Sequence, residues 1–361
     1  MPRNEERSEK RSEGSSTPVG AGSQGFRWHR SLRTSFAGIL ISLCLTSCAT
    51  DPNAILSRAS APTTTPTPSI TQTLASQPAK PPFYRIEGGQ GASLLLLGTI
   101  HLGPQEGWMF SEALKDGLEL ADSFVLEIDL SKIDEDAVAN SLARLVIIES
   151  PRTLEDLVSP ETAKVLADND ALLTRLGLPF NARKRLKPWY IAVGLVESTT
   201  KRSGLSAQAS AESVIVSAID SRPILGLETF EEQLALLNEI NPRLQDMMLR
   251  DTVNRLDEAI EETRALATAW HSGDEAYLEA LAREGVDEMP EFKEFYEVIL
   301  GDRNRRWIPK LRSFLDDPTL RGEVVFVGVG ALHLLKEDGL LELFRQAGYQ
   351  VSAIEHDTGI E

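Results

Sequence analysis

The sequence predicts an α/β protein: a central, mostly parallel sheet with two strand–Gly-x-x-His–helix units and a long helical insertion. Three observations carry this. Short apolar runs alternate with stretches of helical periodicity. The Gly-x-x-His pattern occurs twice, each time after an apolar run. Residues 230–283 form a charged, helix-periodic block that interrupts the alternation.

In chain order, 83–86 and 93–97 read as neighbouring strands joined by the turn Gly88-Gly89-Gln90-Gly91. Phe110, Leu114, Leu118 and Ala121 recur at helical spacing, and 123–128 is then a buried strand. A strand–helix–strand unit of this kind implies parallel pairing. Helix is expected over 134–147 and in pieces to 176. Pro188 opens another helix at its first turn. A helix over 209–218 leads to the short strand 223–227, which ends at Glu228. Within the charged block, Gly273 suits a helix end and Asp274 the next N-cap. A helix over 290–315, a buried strand over 323–329, a helix over 340–347 and a strand over 349–354 complete the chain.

The 361 residues allow one large domain or two small ones, either with a sizeable core. A net charge of −17 repels phosphate backbones and argues against nucleic acid as a partner. The only cysteines are Cys44 and Cys48, so the body has no disulfide, thiol nucleophile or thiolate zinc site. Arg27, Arg30 and Arg33 precede the apolar run 36–45 and then Thr46-Ser47-Cys48, the layout of a secretory signal. The run is too short for a transmembrane helix, which needs about 20 residues. Leu45-Thr46-Ser47-Cys48 resembles a bacterial lipobox, with residues 1–47 as signal and Cys48 as the acylated first residue. Ala49 in place of Asp matches outer-membrane sorting, so the body is expected in the periplasm on a lipid anchor. Cleavage removes seven bases and four acids and leaves a charge of −20, so the acyl chains must hold the protein at the membrane. The Pro/Thr-rich stretch 48–82 reads as a tether, with the folded domain over 83–361.

The two motifs are Gly98-Thr-Ile-His101-Leu and Gly330-Ala-Leu-His333-Leu, each with a further Gly six residues after its His. In open α/β sheets ligands bind beyond the carboxyl ends of strands, and Gly there allows close backbone approach. His101, His333 and the strand-end carboxylates Glu127 and Glu228 are therefore the candidate site. Two His and two Glu suit a divalent ion such as Mn, Co or Zn, or metal-free acid–base work. Arg303-Asn304-Arg305-Arg306-Trp307 is either a solvated helix face with a core Trp or an anion clamp on a substrate. Asp129 ranks below Glu127. His271 reads as a helix-end charge and His356 as a solvated tail residue. His-Glu-x-x-His, Gly-x-Ser-x-Gly and Walker patterns are absent, which excludes thermolysin-like proteases, elbow-type serine hydrolases and P-loop enzymes.

These segments, with Pro188-Trp189, Gly226-Leu-Glu-Thr-Phe-Glu-Glu-Gln233 and Trp270-His-Ser-Gly-Asp274, resemble the TraB/GumN family over nearly all of 83–356. Leu335-Lys336 departs from it, where members often have Gly. The family includes pheromone-shutdown proteins and resembles the Tiki metalloproteases, which use Mn or Co. The resemblance implies an erythromycin-esterase-like or ChaN-like fold and a site at His101, Glu127, Glu228 and His333, with Arg303 and Asn304 as a polar pair nearby. Three readings follow: a metal-dependent hydrolase of peptidase type, a metal-free His/Glu esterase-like hydrolase, and a non-catalytic lipoprotein that sequesters a peptide or small molecule.

Overall fold

The computed structural model describes residues 70–129, 132–283, 290–358 and 360. The signal, Cys48 and most of the expected tether lie outside these residues. The described residues contain eight strands: β1 Phe83–Glu87, β2 Ser93–Thr99, β3 Gly103–Pro104, β4 Ser123–Ile128, β5 Leu205–Ser206, β6 Ile224–Glu228, β7 Val324–Gly330 and β8 Gln350–Ala353. Six form one sheet in the order β6-β4-β7-β2-β1-β8, and β3 pairs with β5 in a separate two-stranded ribbon. The pairs β6·β4, β4·β7 and β7·β2 are parallel, while β1 is antiparallel to β2 and to β8. The expected mostly parallel α/β sheet is present.

The placement of β7 organises the site. β2 and β4, joined by the helix Glu112–Leu120, do not touch; β7 lies between them. Thr99 pairs with Gly330 and Leu126 with Gly328, so the two Gly-x-x-His motifs leave neighbouring strands at almost one level, with Glu127 beside them. Ile128 pairs with Glu228 on the far side. Four chain segments thus end at one rim of the sheet. Alternate residues of β2, β4 and β7 are apolar on both faces, as strands covered on both sides require. Phe326 sits between Phe83 and Phe124, its ring tilted against each at a centroid distance of 5.9 Å.

The insertion follows the predicted pattern. Helices Pro188–Arg202 and Pro242–Asn254 enclose a satellite core of Leu173, Ile191, Leu195, Leu249 and Val253, distinct from the main core. Gly273 closes Glu258–Ser272 in the left-handed conformation (φ 70°), and the Asp274 carboxylate accepts from Tyr277 N–H at 3.0 Å, as the spacing predicts.

Three expectations need correction. Packing is already present ahead of Phe83: helix Ile70–Ser76 buries Leu74, and Ala79 is fully buried in a backbone bridge to Phe110. Residues 79–82 are apolar enough to pack, and Pro82 C=O accepts from Gly98 N–H at 2.9 Å. The Pro-rich composition hid this because its few apolar residues lack periodicity. The helix expected over 290–315 is broken by a π turn, Glu297–Gly301, before continuing as Asp302–Asp316. His356 is half-buried rather than solvated: its ring bridges Ser111 Oγ (2.8 Å) and Pro81 C=O (2.7 Å). Replacing Leu74 by Ala is expected to cost about 2 kcal/mol, as for a buried leucine, measured by urea unfolding; a stretch acting only as a tether would show no change.

Candidate functional site

His101, Glu127, Glu228, Arg303, Asn304 and His333 meet at the rim, joined by Glu212, and each is between 1% and 8% exposed. His101 follows β2 by two residues, and its Nδ1 lies 2.9 Å from Glu212 Oε1 while its Nε2 faces Glu127 Oε1 at 4.0 Å. His333 ends the 3-10 turn after β7, with its ring against Trp307 at a centroid distance of 4.4 Å. Its Nδ1 is 2.7 Å from Asn304 Oδ1, and its Nε2 faces the same Glu127 oxygen at 3.9 Å. Arg303 Nη1 is 3.0 Å from that Nε2. A guanidinium only donates, so Nε2 accepts and Nδ1 carries the proton given to Asn304. The Asn304 amide is fixed in turn, because its Nδ2 donates to Asp338 C=O at 2.9 Å.

Glu127 is the hub. Oε1 accepts from Gly330 N–H at 2.7 Å, and Oε2 accepts from Arg303 Nη2 at 2.6 Å and Gln233 Nε2 at 3.1 Å. Both motif glycines stand in tight surroundings. A Cβ on Gly330 would stand 3.2 Å from Glu127 Oε1 and 3.7 Å from His101 Nε2, and one on Gly98 would meet Ala331 at 3.0 Å. Glu228 turns to Arg303 Nε (3.0 Å) and Trp307 Nε1 (3.0 Å). Arg303 Nη1 also donates to Ile299 C=O at 3.1 Å, and Nη2 stands 3.0 Å from Glu228 Oε2 as an ion pair. Arg303 follows the π turn directly, and such turns re-aim side chains within a helix. Asp129 lies outside the cluster, paired with Lys132 at 2.6 Å.

Two residues of the cluster escaped the sequence reading. Gln233 was only part of a longer motif. Glu212 was not singled out, although one signal was available: it shares a helix face with the buried Ile215, and an acid on an apolar face asks for a partner. A cavity of about 10 Å³, room for one water or ion, lies against His101, Glu127, Gln233 and Arg303. A separate cleft of about 440 Å³ lies between the ends of β4 and β6 and the helices Glu135–Val146 and Phe230–Glu239. Glu228 lines that cleft together with Asp129, Lys132, Asp134 and Phe230.

The charges are strongly coupled. Burial alone would lower the His101 imidazole, but Glu212 and then Glu127 outweigh it and lift the group to about 9. Burial pushes Glu127 up, but Arg303 above all, then His333 and His101, hold it down at about 2. Burial and Arg303 together lower His333 to about 3, so it is neutral. Without metal, the cluster therefore pairs one imidazolium and one guanidinium with three carboxylates.

Among the described residues no three His, Cys, Asp or Glu side chains stand at metal-ligand spacing. The donor types, two imidazoles and a carboxylate, are ones that divalent ions take. Both Nε2 atoms face one Glu127 oxygen, at 4.0 and 3.9 Å, and behind the Nδ1 atoms lie Glu212 Oε1 at 2.9 Å and Asn304 Oδ1 at 2.7 Å. One contact must yield to an ion, the Arg303 hydrogen bond to His333 Nε2.

A group raised above its unfolded value stabilises the fold below that value and loses the contribution as pH rises through the folded one. For metal-free protein, His101 gives stability that is full below about pH 6.5 and lost by about pH 9, worth at most about 3 kcal/mol. Urea unfolding across that window should show the loss in the parent chain and not in His101→Ala; parallel profiles would refute it.

The chain is 26% identical to the uncharacterized protein YbaP of Escherichia coli (strain K12) over 254 residues, 69% of this chain and 87% of the relative. An uncharacterized protein of Treponema pallidum (strain Nichols) is 25% identical over 174 residues, 46% of this chain and 49% of its own length. No solved structure matches. The TraB/PrgY/gumN family model matches residues 82–353, both Gly-x-x-His motifs included, and the chain belongs to that family.

Proposed function

We propose that this protein is a divalent-metal-dependent hydrolase of peptidase type, held on a lipid anchor. The observation that supports it best is the convergence of His101 and His333 Nε2 on one Glu127 oxygen, at 4.0 and 3.9 Å. His101, His333 and Glu127 would hold Mn, Co or Zn. Glu228, expected as a further ligand, is turned to Arg303 and Trp307 and serves as a buried counter-ion. A bound ion supplies Lewis-acid polarisation and lowers the pKa of a coordinated water.

The chain's own groups do the rest. Arg303 and Gln233 fix the second oxygen of Glu127, so the carboxylate faces the small cavity in one orientation. Gln233 and Leu237, from the helix Phe230–Glu239, wall that cavity and limit water. The cleft lined by Glu228, in the size range of ligand pockets, would admit substrate beside that residue. Its mixed apolar and polar wall suits a peptide, the substrate class that the resemblance to Tiki proteases implies.

One observation favours a second, metal-free reading: Arg303 already donates to His333 Nε2. His101 and Glu127 would then exchange the proton themselves. Elemental analysis and calorimetry with Mn, Co and Zn decide between the two, on the full chain and its His101→Ala and His333→Ala forms. The metal reading expects one ion per chain, lost in both variants, and peptide-library cleavage abolished by chelator. Cleavage that survives chelation supports the metal-free reading, and metal binding without cleavage a sequestering protein.

The anchor rests on Leu45-Thr46-Ser47-Cys48 and Ala49. It puts the mature protein at the outer membrane, facing the periplasm. Among the described residues no helix is long and apolar enough to cross a membrane. Metabolic labelling with palmitate should mark the parent chain and not Cys48→Ala; equal labelling, or none, refutes the anchor.

A further inference from the structure

We infer that Glu212 is the positioning residue of His101, holding its Nδ1–H so that Nε2 is aimed at Glu127 and the small cavity. The inference rests on the reading above only in taking His101 as a working side chain. Glu212 is 5% exposed, sits in the first turn of the helix Ala211–Ala218, and brings Oε1 to 2.9 Å from His101 Nδ1, an ion-pair contact whose alignment falls short of a hydrogen bond as folded and leaves those two buried atoms only each other to pair with. A carboxylate on the apolar side of a helix is costly unless it is paired, and His101 is the cation within reach.

Three backbone ties hold the two residues together although their elements are far apart in sequence. Ala211 N–H donates to Ile100 C=O at 3.0 Å, joining the start of one helix to the residue before His101. Gly103 and Pro104, just after His101, pair with Ser206 and Leu205 in the short ribbon. Gly103 packs so closely that a Cβ there would stand 2.0 Å from Ala209 C=O. The loop after His101 and the loop before Glu212 therefore move as one piece.

The site is thereby made asymmetric. His333 is held from behind by the neutral amide of Asn304 and accepts from Arg303. His101 has a carboxylate oxygen 2.9 Å behind Nδ1, and among the described residues no arginine donates to its ring. Of two imidazoles delivered by similar motifs, His101 is thus the one made to give and take protons or to bind an ion most firmly, and His333 the one kept neutral.

The test is nitrogen NMR of the histidine rings in the full chain, with Mn²⁺ calorimetry alongside. A low-field ring N–H resonance that His101→Ala abolishes identifies His101 Nδ1–H. The inference expects this resonance to move upfield in Glu212→Gln, which keeps shape but not charge, and to vanish by solvent exchange in Glu212→Ala. Gly103→Ala, which leaves Glu212 in place but parts the loops, should shift it as well. Mn²⁺ affinity should fall roughly 10–100-fold in Glu212→Ala, as when the partner behind a ligating imidazole is removed. An unchanged resonance in folded Glu212→Gln, or none in the parent chain, overturns the inference. Absence of Mn²⁺ binding in every form, with the ring result as expected, overturns the metal reading and leaves the role of Glu212 supported.

Discussion

The site depends on one interaction, the seat of the Arg303 guanidinium between Glu127 and Glu228. Two carboxylates brought to the rim of a buried sheet would each cost several kcal/mol with no cation between them. The guanidinium meets that need with a planar fork that reaches both acids, an imidazole nitrogen and a backbone carbonyl at once. A lysine has one ammonium centre and could not span these acceptors. The helix that carries Arg303 has to arrive with the right rotation, and the π turn ahead of it is the local irregularity associated with that. Trp307, one turn on, donates to Glu228 and packs on His333, so this single helix supports both halves of the cluster.

Much of this arrangement was legible in the sequence because it rests on local signals. The two Gly-x-x-His motifs announced themselves by repetition after apolar runs, and Glu127 and Glu228 by ending strands. Parallel pairing of those strands is enough to put all four at one rim. The details that were not legible depend on distances no local signal carries. Glu212 looks like any acid in a first helical turn. Arg303 reads from the sequence as either a solvated base or an anion clamp, and its carboxylate partners, from distant strands, come into view only in the fold. The lead over 70–82 has a tether's composition, and only the grooves it fills turn Leu74 and Ala79 into core residues.

The cluster's charge also explains why its histidines differ although their motifs match. Each ring is buried and each faces Glu127, so burial and that carboxylate act on both. What differs is the group behind each Nδ1 and the nearness of Arg303 to His333. Repetition in sequence supplied two similar side chains, and the surrounding elements made them unlike.

The position of β7 also bears on how the chain acquires its site. Ser93 pairs with Val324, so the strand between β2 and β4 comes from close to the end of the chain. Until that strand arrives, β2 and β4 present facing edges with an empty slot between them, and contacts so distant in sequence form slowly. The same strand brings Gly330 and His333, so closing the sheet and assembling the cluster are one event. A chain cut short before residue 324 would lack both, and no partly folded form would carry a working half of the site.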